Sequence, residues 1–67
     1  MTVAKIIELN ASSKKSLEDA VQVGLKKAAS SVKNIQGAWI KEIKVVTDAD
    51  GNITEWRADM KVTFIVQ

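Results

Sequence analysis

The chain has 67 residues, with no cysteine, no histidine and no proline, and its 10 basic and 8 acidic residues leave a net charge of +2. That composition excludes disulfides, zinc sites of the usual kind and His-dependent nucleophilic catalysis, and its interspersed charges lack the concentrated basic footprint of a nucleic-acid binder. A single domain of this size, residues 1–67, buries only about 60% of its unfolded surface and needs a staple, and self-association is the one this composition leaves open.

The opening Met1-Thr2-Val3-Ala4-Lys5 has no signal-peptide character. No run approaches the ~20 apolar residues needed to cross a bilayer. A soluble, cytoplasmic protein is the expectation. Val3 to Leu9 reads as a first strand, with Val3, Lys5, Ile7 and Leu9 pointing one way and Ala4, Ile6 and Glu8 the other. Asn10-Ala11-Ser12-Ser13 then reads as a polar break, with Ser12 or Ser13 capping a helix.

The helix is expected over roughly Lys14 to Asn34. Leu17, Val21, Leu25, Ala28 and Val32 recur at helical spacing and form one apolar stripe. Gly24, with Ala20, Ala28 and Ala29, permits close approach to a sheet. The stripe carries no aromatic residue, which favours a helix-on-sheet core over a membrane-surface helix. Gly37 fits an exit turn or a strand start.

Ala38 to Val46 and Trp56 to Val66 read as two long strands joined by Asp48-Ala49-Asp50-Gly51-Asn52. Asp50-Gly51 between two alternating runs is a tight-turn signal, so these strands form a hairpin. The order is strand, helix, strand, strand. The first two strands are either parallel neighbours or lie apart with the last strand between them; the second arrangement gives an all-antiparallel sheet, lets both long strands pair fully and is the one expected. The Asp48 segment also has the look of the start of a calcium loop. Asp59 stands where that loop needs a bidentate Glu, and the flanking helices are missing, so a hairpin turn is the simpler account.

On the last strand Trp56, Ala58, Met60, Val62, Phe64 and Val66 alternate and share the face that the helix covers. The other face carries Trp39, Ile43, Val45 and Ile65 among charges, with no second helix to cover it. A half-covered sheet in so short a chain implies another copy of the chain as its partner. Trp39 is placed on that open face with Gly37, Lys41 and Ile43, and Arg57 points the same way. A Trp there is either an anchor between subunits or a stacking platform for a flat aromatic ligand. Arg57 is suited to ligand carbonyls, a phosphate or a neighbour's carboxylate. Glu42 and Asp59 are scattered carboxylates that salt bridges explain more simply than catalysis, and no enzyme is expected.

Taken together, the chain resembles the dodecins, small flavin-binding proteins of bacteria and archaea. The likeness runs through Lys5-Ile6-Ile7-Glu8-Leu9, the Ser-Ser cap, Leu17 to Leu25, Ala28-Ala29, Ile40-Lys41-Glu42-Ile43 and Met60-Lys61-Val62-Thr63-Phe64. It implies an α+β fold of β-α-β-β order, with a three-stranded antiparallel sheet partly wrapped around one helix. It also implies a hollow homododecamer built of trimers. Flavin, as riboflavin or FMN, would be stacked between Trp side chains of neighbouring copies and held at its edge by a Gln. The implied role is storage, scavenging and photoprotection without turnover. Counted without gaps from the helix, the stacking position falls on Gly37. A two-residue insertion at the helix exit would put Trp39 there instead. The Gln position falls on Arg57. The expected flavin-contacting set is therefore Trp39, Gly37 and Arg57. The alternative is a flavin-free assembly with a structural role or one binding another small ligand or ion.

Overall fold

The computed structural model describes residues 2–66. Strand β1 (Val3–Ser13) is followed by helix α1 (Leu17–Ala29), strand β2 (Ile35–Thr47) and strand β3 (Ile53–Val66). The sheet order is β1-β3-β2 and both pairings are antiparallel, as the hairpin reading requires. The most regularly alternating strand takes the centre, where both of its edges are satisfied by neighbours.

Several boundaries differ from the sequence reading: β2 and β3 each start three residues earlier, at Ile35 and Ile53, and three others differ for reasons the contacts show. β1 does not break at Asn10 but continues through Ala11, Ser12 and Ser13, which face Ala58, Arg57 and Trp56 of β3. Pairing with β3 satisfies these backbone groups, and the ladder outweighs the turn preference of Asn and Ser. The cap is accordingly neither Ser12 nor Ser13 but Ser16, whose Oγ accepts from the Asp19 backbone N–H at 3.0 Å. Ser13 is instead buried as a brace. Its hydroxyl donates to Asp19 Oδ2 at 2.6 Å and accepts from Lys15 N–H at 2.9 Å. The helix, finally, has 13 residues and stops at Ala29. The next turn tightens as Ser31 and Val32 both donate to the Ala28 carbonyl. Asn34 then takes a left-handed φ of 63°, a conformation its short polar side chain tolerates. Its carbonyl accepts from Ile65 N–H at 3.0 Å, which ties the helix exit to the end of β3. β2 starts directly afterwards, so Gly37 lies inside a strand rather than in a turn.

The core is narrow. Ala58, Met60 and Val62 of β3 are fully buried, and the helix meets them with its small residues Ala20, Gly24 and Ala28. Leu17, Val21 and Leu25 lie partly buried on the flank of that ridge. A Cβ added at Gly24 would stand 2.5 Å from Met60 Cε, 2.9 Å from Ala11 Cβ and 3.2 Å from Leu9 Cδ1. Glycine here is a requirement of close approach.

The helix packs on β1 and β3, and the hairpin projects past it in a body 53 Å long and 13 Å thin. β2 is therefore left largely bare on the helix side, where Ile40, Ile43 and Val45 are exposed. Ile43 and Val45 were expected on the opposite face. The pairing slips by one residue between Ile40 and Glu42, so that Ile43 and Val45 oppose Ala58 and Trp56. One extra residue in one strand moves everything beyond it to the other side of the sheet.

Candidate site on the open sheet face

The face away from the helix is built as rungs of residues that lie directly opposite one another across the three strands. Ser12, Arg57 and Lys44 form one rung, and Asn10, Asp59 and Glu42 the next. Glu8, Lys61 and Trp39 follow, and then Ile6, Thr63 and Gly37. Directly opposed side chains sit ~5 Å apart on one face and interact.

Trp39 is 73% exposed, the most open large apolar side chain on the molecule among the described residues. Nothing lies within 4 Å of the position a Cβ would take on Gly37. The backbone next to Trp39 on β2 is thus bare, with Thr63 beside it and Ile6, more than half exposed, beyond. This is an indole standing next to a strand position that carries no side chain. Lys61 lies opposite Trp39, and Lys41, the extra residue of the bulge, reaches Glu8 at 3.8 Å. A flat ring laid here would meet one aromatic face and have an ammonium group at its edge.

Gly37 and Trp39 are neighbours on the open face, as the alternation of β2 predicts. Arg57 is on the same face but is not brought to them within one chain. It belongs to a rung four residues further along β3, about 13 Å away at the usual rise. Its guanidinium is engaged by Glu55 of its own strand, with Nη2 at 2.9 Å and Nε at 3.0 Å from Oε2. The cation next to Trp39 is Lys61. The sequence carried the means to find it only through the hairpin register, which the bulge at Lys41 displaces.

Glu42 and Asp59 were expected to be explained by salt bridges. They oppose each other instead, and neither has an ion-pair partner among the described residues. With Asn10, Ala11, Ser12, Lys44 and Arg57 they line a cleft of ≈ 450 Å³.

The calcium-like segment is occupied by its own turn. Asp48 Oδ1 accepts from the backbone N–H groups of Asp50 at 2.9 Å and Asn52 at 3.0 Å, and Oδ2 accepts from the Asn52 side chain at 3.2 Å. Gly51 supplies the left-handed residue, with φ at 85°. The bonds from the Asn52 backbone and side chain, with those of Asp50 and Gly51, hold the Asp48 carboxyl below its ordinary value of 3.8. A lowered folded-state pKa gives stability that is present above 3.8 and is lost as pH falls through the lower folded value. The melting temperature of the wild-type chain should therefore fall more steeply below about pH 4 than that of Asp48→Asn, which has no proton to take up. Parallel acid melting curves would show that the turn gains nothing from the charge.

A protein-family model, Dodecin, matches residues 3–67. No curated protein gives a significant match. Among solved structures, the chain is similar to a protein from Thermus thermophilus at a TM-score of 0.91 and 27% identity, covering 100% of this chain and 97% of that one. An arginine-to-alanine mutant of the T. thermophilus dodecin gives the same TM-score and identity, with 98% of its chain covered. A protein from Mycobacterium tuberculosis described as a calcium dodecin with a novel calcium-binding site matches at a TM-score of 0.80 and 29% identity, covering 97% of this chain and 91% of that one.

Proposed function

Because this chain belongs to the dodecin family, we propose that it is a cytoplasmic, self-assembling binding protein that sequesters flavin without turnover. Twelve copies would form a hollow particle, each copy presenting one open sheet face and one bare flank of β2. The observation that carries the reading is Trp39. A side chain of that size, 73% exposed beside the bare backbone of Gly37, is costly to leave in water and suited to stacking. A flavin ring fits the chemistry of the strip: an aromatic face from Trp39, room over Gly37, and hydrogen-bond donation to ring carbonyls from Lys61. Arg57 would contribute only from a neighbouring copy, since its own chain places it too far from Trp39.

The test is native mass spectrometry of the purified protein before and after addition of riboflavin and of FMN, with quenching of flavin fluorescence as a second readout. A twelve-copy particle that gains flavin mass supports the reading. A twelve-copy particle that gains none favours the flavin-free alternative, and the relative described as a calcium dodecin makes calcium the first ion to titrate next. A monomer in both conditions overturns the assembly.

A further inference from the structure

We propose that Asp50–Gly51, at the tip of the β2–β3 hairpin, is a backbone modification site at which the aspartyl bond rearranges to isoaspartate through a cyclic imide.

The reaction needs a side-chain carboxyl free to turn on its own backbone, a following N–H within its reach, and no side chain on that following residue to block the approach. The chain has four aspartates and three asparagines, and Asp50 alone among them precedes a glycine. Nothing lies within 4 Å of the position a Cβ would take on Gly51. Asp50 is exposed, and its carboxylate has no hydrogen-bond or ion-pair partner among the described residues.

The structure withholds the other sites. Asn10 and Asp59 lie in paired strands. Asp19 lies in the first turn of the helix, where the Ala20 N–H donates to the Ser16 carbonyl at 3.1 Å. The Asp48 carboxylate is taken by three donors of its own turn. Asn34 and Asn52 each precede an isoleucine, whose branched Cβ crowds the N–H.

The Gly51 N–H, by contrast, is held lightly. It donates to the Asp48 carbonyl at 3.2 Å, the long end of the range for such a bond. Exposed turns open locally at little cost, and the rearrangement starts from that opening. The Gly51 nitrogen attacks Cγ of the protonated Asp50 carboxyl. A C–N bond forms, and the hydroxyl of the carboxyl leaves as water with the amide proton. The imide then takes up one water. Opening at Cγ restores aspartate, and opening at the backbone carbonyl gives isoaspartate. The mass is unchanged overall, and no oxidant or metal is required.

The product alters what the turn can hold. The peptide link now runs through Cβ and Cγ, so the path from Asp50 N to Asn52 N lengthens by one atom. Asp48 Oδ1 accepts from both of these groups, at 2.9 and 3.0 Å, a fit set by the native path. A free α-carboxylate also appears beside that of Asp48. The loss is confined to the tip and leaves the buried Ala58, Met60 and Val62 in place.

The test is to age the assembled protein at constant temperature beside a synthetic peptide of residues 46–54, which serves as the clock. Digestion and mass spectrometry with electron-transfer fragmentation then locate isoaspartate. The aged protein is expected to give a second Asp50 peptide of unchanged mass, and a minor one lighter by one water. Asp50→Glu, whose ring would gain an atom, should give neither. Gly51→Asn keeps a residue that tolerates the left-handed conformation but adds a Cβ, and should slow the reaction severalfold. Asp48→Ala removes the carboxylate that holds the turn and should speed it severalfold. Aged wild type should melt below fresh wild type, while Asp50→Glu melts alike before and after ageing. Copy number in native mass spectra shows that each variant is folded. No isoaspartate at Asp50 in the protein once the peptide has converted overturns the proposal, as do equal amounts at Asp48 or Asp59. An unchanged rate in Asp48→Ala overturns the control assigned to the turn.

Discussion

Trp39→Ala is expected to lower flavin affinity by ~30-fold or more, the loss typical of removing a binding hot spot worth about 2 kcal/mol. The indole is exposed, beside bare backbone at Gly37 and opposite Lys61, so its removal leaves the strip with no aromatic face. Trp39→Phe should lose less, because a ring of smaller area remains to stack. The copy number is expected to hold for both variants, since the apolar flank of β2, with Ile40, Ile43 and Val45, is untouched. Flavin titration monitored by fluorescence quenching, with mass spectra of the same samples, reads both quantities. If Trp39→Ala breaks the particle and wild type takes up no flavin, the side chain is a subunit anchor and the storage reading falls.

Met60→Ala should be the most damaging single truncation in the core. Met60 is fully buried at the centre of β3, between the paired strands and under the Gly24 face of the helix. Truncating a large buried side chain costs about 2–5 kcal/mol, and a chain of 67 residues has only roughly 3–10 kcal/mol in total at ordinary stability per residue. Urea unfolding at one fixed protein concentration should show a large fall in midpoint, the concentration being held because assembly adds its own stability. Gly24→Ala supplies the complementary measurement. Its better helix propensity would contribute up to about 1 kcal/mol, but overpacking against Met60 Cε and the Ala11 strand costs about 1–3. A net loss is expected. In a Met60→Ala background the same substitution should cost less, because the 2.5 Å contact is gone while the 2.9 Å contact with Ala11 remains. Additive effects would mean that helix and sheet do not meet through this pair.

The elements, their order and the central place of β3 were legible in the residues alone. Alternation from Trp56 to Val66, the stripe beginning at Leu17 and the Asp50-Gly51 turn are local patterns, and local backbone geometry converts each into an element with a defined face. Even Gly37 and Trp39 as neighbours on the open face followed from alternation within β2. The family likeness, drawn from the same residues, anticipated the architecture that the family model and solved structures support. What failed locally failed for a shared reason. Asn10 to Ser13 have turn-forming side chains, yet pairing with β3 holds them extended. The helix could have run on to Asn34, yet it stops at Ala29 because the chain turns back to reach β2 and the Asn34 carbonyl is taken by Ile65. The slip at Lys41 carries no sequence mark, and it alone decides that Ile43 and Val45 lie on the helix side. Arg57 and Trp39 are likewise on one face by period but some 13 Å apart by register. Periodicity assigns a side chain to a face. Only pairing between distant segments assigns it a neighbour, because that choice is made by the summed hydrogen bonds and packing of the whole sheet.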